Sequence, residues 1–277
     1  MEIQFETMPA LLTDEELSDL RKARFLLERP SFASRLTKAL GRPIEGIFNQ
    51  LPLGWNKAIH KVSGSALSKA TRMATWTMWN RQGKSSSERS HQCAVMISGG
   101  LGGSLGLATL MWELPVSTTL MLRSIADIAR SEGHSLRDPE TRLSCLEVFA
   151  FEGKPSKGEE PDKHYWAVRL ALAKAVSEAA AFSVSGGVAK KTVPVMTRLI
   201  SAVASRFGVM VSEHVAAKAI PIIGAASGMT INLIFINHFQ TIARGHFIIK
   251  RLEKKYGTEA VQELYGSIAM PYELAKT

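Results

Sequence analysis

Two long stretches without charge constrain this chain more than any other feature. The first runs from Cys93 to Trp112, CAVMISGGLGGSLGLATLMW. The second runs from Ala219 to Ala243, where His238 is the only titratable side chain. At 1.5 Å per residue, about twenty helical residues span roughly 30 Å, the thickness of a bilayer core. Such stretches either pack together at the centre of a helical bundle or enter a membrane. The sequence leaves both outcomes open.

Small residues within these stretches follow a helical spacing. Ser98, Gly102 and Gly106 lie four apart, as do Gly99 and Gly103, and Gly224 and Gly228 repeat the pattern. Spacing of four puts them on one helix face, where another backbone can approach closely. Each glycine costs roughly 0.8–1 kcal/mol against alanine in a helix, so tight packing must offset them. Glu113 ends the first stretch, and an acid at a bilayer centre costs about 2.5–3.5 kcal/mol. Basic residues flank it on both sides, Arg81, Lys84 and Arg89 before and Arg123 and Arg130 after. No spanning orientation follows, and a re-entrant or amphitropic mode suits the pattern better.

The remaining chain reads as successive helices. Thr13 and Glu16 form a capping-box pattern, Leu17, Leu20, Ala23, Leu26 and Leu27 follow at helical spacing, and Pro30 closes the element. SFASRLTKAL predicts a short helix stopped by Gly41. An irregular stretch with Pro43 and Pro52 precedes a helix expected from about Trp55 to Asn80. Pro115 predicts a fresh helix start after Glu113, with Gly133 as its C′ residue. Asp138-Pro139-Glu140 is a third start signal, for a helix reaching towards Gly153. Residues 153–163 read as a flexible loop. An Ala-rich helix is expected from about Lys163 to Ser185, broken by Gly186-Gly187, then another from about Val193 to Gly208. The C-terminal part predicts two helices broken at Gly257. There is no alternating strand pattern and no fixed-period repeat. The expectation is therefore all-α, one helical domain over 1–277 with a central Gly-rich apolar helical pair.

Composition narrows the partners. Hydrophobic residues make up 45% and mean hydropathy is +0.02, too low for a polytopic membrane protein. Net charge is +9, which favours anionic partners. Aromatics do not interleave with Lys and Arg, so no nucleic acid is expected. The basic run Arg244, Lys250, Arg251, Lys254 and Lys255 adjoins Phe247, Ile248 and Ile249. It reads as a contact for an anionic membrane surface, or else as a solvated helix face. Cys93 and Cys145 suit a reducing compartment, and the N-terminus lacks a basic-then-apolar leader pattern. The expected location is cytoplasmic, peripheral to or partly inserted in the inner membrane.

Three long blocks carry a family likeness: PSFASRLTKALGRPIE, SGGLGGSLGLATLMWELPVSTTLMLRSIADIARSEG with DPETRLSCLEVFAF, and SRFGVMVSEHVAAKAIPIIGAASGMTINLIFINHFQTIARGHFIIKRLEKKYG. Over about Pro30 to Tyr265 the chain resembles the EcsC protein family. The resemblance implies a membrane-linked context beside a transporter, such as an ABC transporter used in secretion, and supplies no catalytic residues. No GxxxxGK[ST] is present, so the chain is not the ATPase partner itself.

Signals for chemistry are sparse. There is no GxSxG elbow and no HExxH, and His238 and His246, two turns apart, lack a third ligand. Neither a metal nor a cofactor is expected. Ser117, Thr118 and Thr119 after Pro115 read as caps. The remaining candidates are Glu113, Arg123 and Asp127, with Asn232 and His238 from the second stretch. They form either an ion-pair network setting helix register or a site between the two Gly-rich segments of a soluble enzyme or ligand-binding module. The leading expectation is a membrane-associated accessory protein acting by binding rather than catalysis. An amphitropic, pore-forming protein is the further alternative.

Overall fold

The computed structural model describes residues 12–41, 43–44, 59, 61–70, 87–103, 110–153, 161–184, 189–218 and 225–268. Among them lie helices α1 (Asp14–Leu27), α2 (Phe32–Leu40), α3 (Glu88–Gly103), α4 (Leu110–Ser131), α5 (Pro139–Glu147), α6 (Pro161–Val184), α7 (Ala189–Lys218), α8 (Ala225–Tyr256) and α9 (Thr258–Ser267). Residues 61–70 are also helical, and a 3-10 turn, Val148–Ala150, follows α5. The described residues contain no strand, and the fold is all-α.

Local chemistry explains most boundaries. The Thr13 hydroxyl accepts from the Glu16 amide at 3.2 Å, and Glu16 accepts from the Thr13 amide at 3.0 Å. Gly41, Gly133 and Gly257 take positive φ at helix junctions, a conformation other residues adopt at a cost. Asp138 caps α5 through the Glu140 amide, with Pro139 at the first helical position. Two breaks expected from sequence do not occur. Pro115 lies inside α4, and α7 continues through Gly208 to Lys218. A proline within a helix costs about 3 kcal/mol and a glycine about 1. Burial of Leu114, Met121 and Ile125 on α4, and of Phe207, Val211 and Val215 on α7, outweighs that penalty. The loop expected over 153–163 is also shorter, since α6 already begins at Pro161. The expected helix over 55–80 is seen at 59 and 61–70, and its remainder lies outside the described residues.

Helix α8 is the spine. α3, α1, α4, α7, α2 and α9 all pack on it. Phe235, Ile236, Phe239, Ile242, Ala243, Phe247, Ile248 and Ile249 are buried, so apolar residues point in every direction around its middle. Phe149, Phe207, Phe235 and Phe239 form a ring cluster, with Phe149 at 5.0 Å from both Phe207 and Phe239. On the far side α6 pairs with α7 and α5. Arg24 of α1, buried beside Glu28 at 2.7 Å, donates to the Tyr265 carbonyl at 2.8 Å and so caps α9.

The closest described backbone approach is one the glycine spacing did not single out. A Cβ on Gly245 would lie 2.7 Å from Leu27 Cγ and 3.1 Å from the Ala23 carbonyl oxygen. Gly245 thus lets α1 sit directly on α8. Gly245→Ala is expected to destabilise the protein by about 1–3 kcal/mol through overpacking, read from the denaturant midpoint. An unchanged midpoint would show that α1 can shift freely.

Candidate functional site

Three helices bring polar side chains together inside the bundle, against the backbone of a fourth. Glu113 comes from the first turn of α4, Lys218 from the last residue of α7, His214 from one turn earlier, and Asn232 from α8. Lys218 Nζ donates to Glu113 Oε1. Asn232 Nδ2 donates to the same oxygen at 3.1 Å and to the Val95 carbonyl of α3 at 2.9 Å. The Asn232 Oδ1 atom can only accept, so His214 Nε2 donates to it at 2.8 Å. Burial keeps His214 neutral, so with Nε2 carrying the proton Nδ1 is unprotonated, and it is buried without a partner. Its ring stacks on Phe235 at 4.4 Å.

Burial sets the electrostatics of this cluster. It holds His214 well below the ordinary histidine range, with the Lys218 charge pushing the same way. It also lowers Lys218, and Glu113 opposes that shift. No activated hydroxyl or thiol among the described residues joins the cluster. The Tyr165 phenol, 2.9 Å from His246 Nδ1 elsewhere, is pushed up by burial, and so is the buried Cys145 thiol. What the cluster offers is a fixed ion pair between α4 and α7, tied by Asn232 to α8 and α3.

Of the sequence candidates, Glu113 and Asn232 meet here, while Arg123, Asp127 and His238 do not. Arg123 is exposed, about 15 Å along α4 from Glu113. Asp127 ties two helices together: it accepts from the Ser87 amide ahead of α3 at 2.6 Å and from Arg130 at 2.7 Å. His238 hydrogen-bonds the Phe151 carbonyl at 3.0 Å and packs on Phe32 and Phe239. The expected site lined jointly by Glu113, Arg123, Asp127 and His238 is therefore not formed, because α4 and α8 carry them on different levels. Sequence reading missed Lys218 altogether, and the only available signal was its position at the edge of an uncharged stretch.

The other candidates divide. Ser98, Gly99, Gly102 and Gly103 lie on α3, and Gly228 lies on α8. Gly106 and Gly224 fall outside the described residues, so the expected small-residue packing is not described. The basic run is corrected in its surroundings. Arg244 pairs with Glu88 and, at 2.7 Å, with Glu132; Lys250 pairs with Glu140 at 2.8 Å; Arg251 pairs with Asp19 at 2.5 Å; Lys255 pairs with Glu16 at 2.7 Å. Lys254 is exposed. Phe247, Ile248 and Ile249 are core residues, so the apolar patch expected beside these cations is absent. The sequence could not show this, because the acidic partners come from distant helices.

Two outcomes test this description. Lys218→Met leaves Glu113 buried and uncompensated, with an expected cost of about 3–5 kcal/mol; adding Glu113→Gln is expected to recover much of it in a double-mutant cycle. Acid should also unfold the protein through its buried histidines. Burial lowers His238 to about 4 from an unfolded value near 6.5, so the unfolded chain takes up the proton first as pH falls. Stability is present in full above about pH 6.5 and is lost progressively down to about pH 4, by roughly 3 kcal/mol from His238 alone. His238→Gln should flatten that part of a pH–Tm profile.

A family comparison matches residues 15–252 to the EcsC protein family. No curated protein and no solved structure shows a significant match. The match covers nearly all of α1, the Glu113–Lys218 cluster and nearly all of α8, and the chain belongs to the EcsC protein family.

Proposed function

We propose that this EcsC-family chain is a membrane-associated accessory protein that acts by binding, with its uncharged end as the binding surface. One arrangement supports this reading. The Glu113–Lys218 layer has helix ends on one side that carry no charge: residues 96–112 and 219–231 contain no Asp, Glu, Lys, Arg or His. From Val95, α3 continues about 12 Å to Gly103, and from Asn232, α8 reaches about 10 Å back to Ala225. An end with no charge costs little to place against hydrocarbon, whereas the ion pairs of Arg244 to Lys255 would cost much more.

Apolar docking fits better than spanning. Among the described residues one helical stretch, Val195–Lys218, has the length and apolar composition to cross a bilayer, and less than half of its most apolar window is buried. Its exposed positions include Thr197, Arg198, Ser201 and Ser205, which suits a solvent-facing core helix. The proposal is thus a peripheral or partly inserted protein on a bacterial inner membrane. The transporter-linked role implied by the family resemblance belongs to the same proposal.

Vesicle flotation tests it. The purified protein should float with phospholipid vesicles, and 0.5 M salt should change this little, since the proposed contact is the uncharged end and most cations of the Arg244–Lys255 run are paired within the fold. Leu107→Glu with Ile223→Glu should abolish flotation while leaving the circular-dichroism spectrum unchanged. Protein that stays at the bottom with both neutral and anionic vesicles overturns the proposal.

A further inference from the structure

A groove of about 690 Å³ lies between α5, α6, α8 and the start of α9, at the opposite end of α8 from the uncharged helix ends. Its apolar wall is the face of α6 with Trp166, Leu170 and Val176; Leu170 is 79% exposed, the most exposed large apolar side chain described. Four charged groups line its floor, Glu140, Glu147, Arg169 and Lys250, with Glu253 behind Arg169. Lys250 pairs with Glu140 at 2.8 Å. Arg169 grips Glu253 with two bonds, 2.6 and 3.0 Å. Glu147 is left over.

Glu147 lines the groove, yet the residue is only 5% exposed. The nearest ring nitrogen, His246 Nε2, is 3.8 Å away, and burial keeps that histidine neutral. Ser144 lies beside it without closing a hydrogen bond of ordinary geometry. Three carboxylates therefore meet two cations, and Glu147, the carboxylate with no close cationic partner, sits at the foot of an apolar wall. A buried carboxylate without a donor is costly, and a charge-assisted hydrogen bond from a bound cation removes that cost.

We propose that the groove binds a primary ammonium carried on a short apolar chain, with the cation seated on Glu147 and the chain along Trp166, Leu170 and Val176. Arg169 and Lys250, committed to Glu253 and Glu140, shape the floor and keep out a second cation. Burial raises Glu147 above the usual carboxylate range, while Lys250 and Arg169 pull it back and Glu253 adds to the rise. A proton therefore competes with the ammonium for Glu147.

Titration calorimetry on the full chain with hexylammonium, and with hexanol and hexanoate as controls, tests this. Hexylammonium should bind and both controls should bind at least about tenfold more weakly. Glu147→Gln should reduce hexylammonium affinity by about tenfold or more, and Lys250→Met should tighten it by removing a competing cation. On the unaltered protein, affinity should rise with pH through the acidic range and then level once Glu147 is ionised. Equal binding of hexanol, no binding of hexylammonium, or a pH-independent affinity overturns the proposal. The pH series decides the matter even if Glu147→Gln fails to fold.

Discussion

The fold depends on the burial of α8. A helix of about 48 Å that is covered on nearly all sides has no solvent face to receive its polar residues. Each one must find a partner inside the protein or impose a desolvation penalty. Asn232 reaches α3 and α4, His238 takes the Phe151 carbonyl, Gln240 donates to Ser124 of α4 at 2.8 Å, and His246 meets Tyr165 of α6. Gln92 of α3 adds a bridge to Asn237 and Gln240, both at 2.7 Å. These contacts act as register marks. Apolar burial drives the packing, but it would tolerate sliding that the polar pairs do not.

Along the same helix, charge is segregated. The first half of α8 has no charged residue before Arg244, and the second half is bound to α1, α4 and α5 through carboxylates. Partly exposed pairs of this kind each contribute little, about 0–1 kcal/mol. Their larger effect is to occupy most of the basic run on α8, so the excess of nine positive charges lies elsewhere on the chain. The uncharged end and the end with ion pairs are thus different places. The proposed membrane contact and the proposed ammonium groove accordingly lie far apart.

Legibility from sequence follows range. Helix caps at Thr13, Gly41, Gly133, Asp138 and Gly257 were readable because capping involves residues within about four positions. Pro115 and Gly208 misled for the opposite reason. Their local preference is real, but buried neighbours on α4 and α7 outweigh it. Glu113 and Asn232 could be suspected as polar residues at the edge of or within apolar stretches. Lys218 had the same signal, at the edge of the second uncharged stretch, and was passed over, while Glu147 carried none, since its significance lies in what faces it. Gly245 was passed over because it stands alone, while the patterned glycines drew attention.

The sequence by itself determined the helical class, the family and the uncharged character of two segments, because periodicity, capping and composition are properties of neighbouring residues. Only the tertiary structure decided which charges are satisfied. Arg244 and Lys250 look like free cations in one dimension and are ion-paired in three, while Glu147 looks like an ordinary surface acid and is buried with no close cationic partner. The physical reason is that the Coulomb energy and the solvation of a group depend on distance and burial, and both are set by helices far apart in the chain.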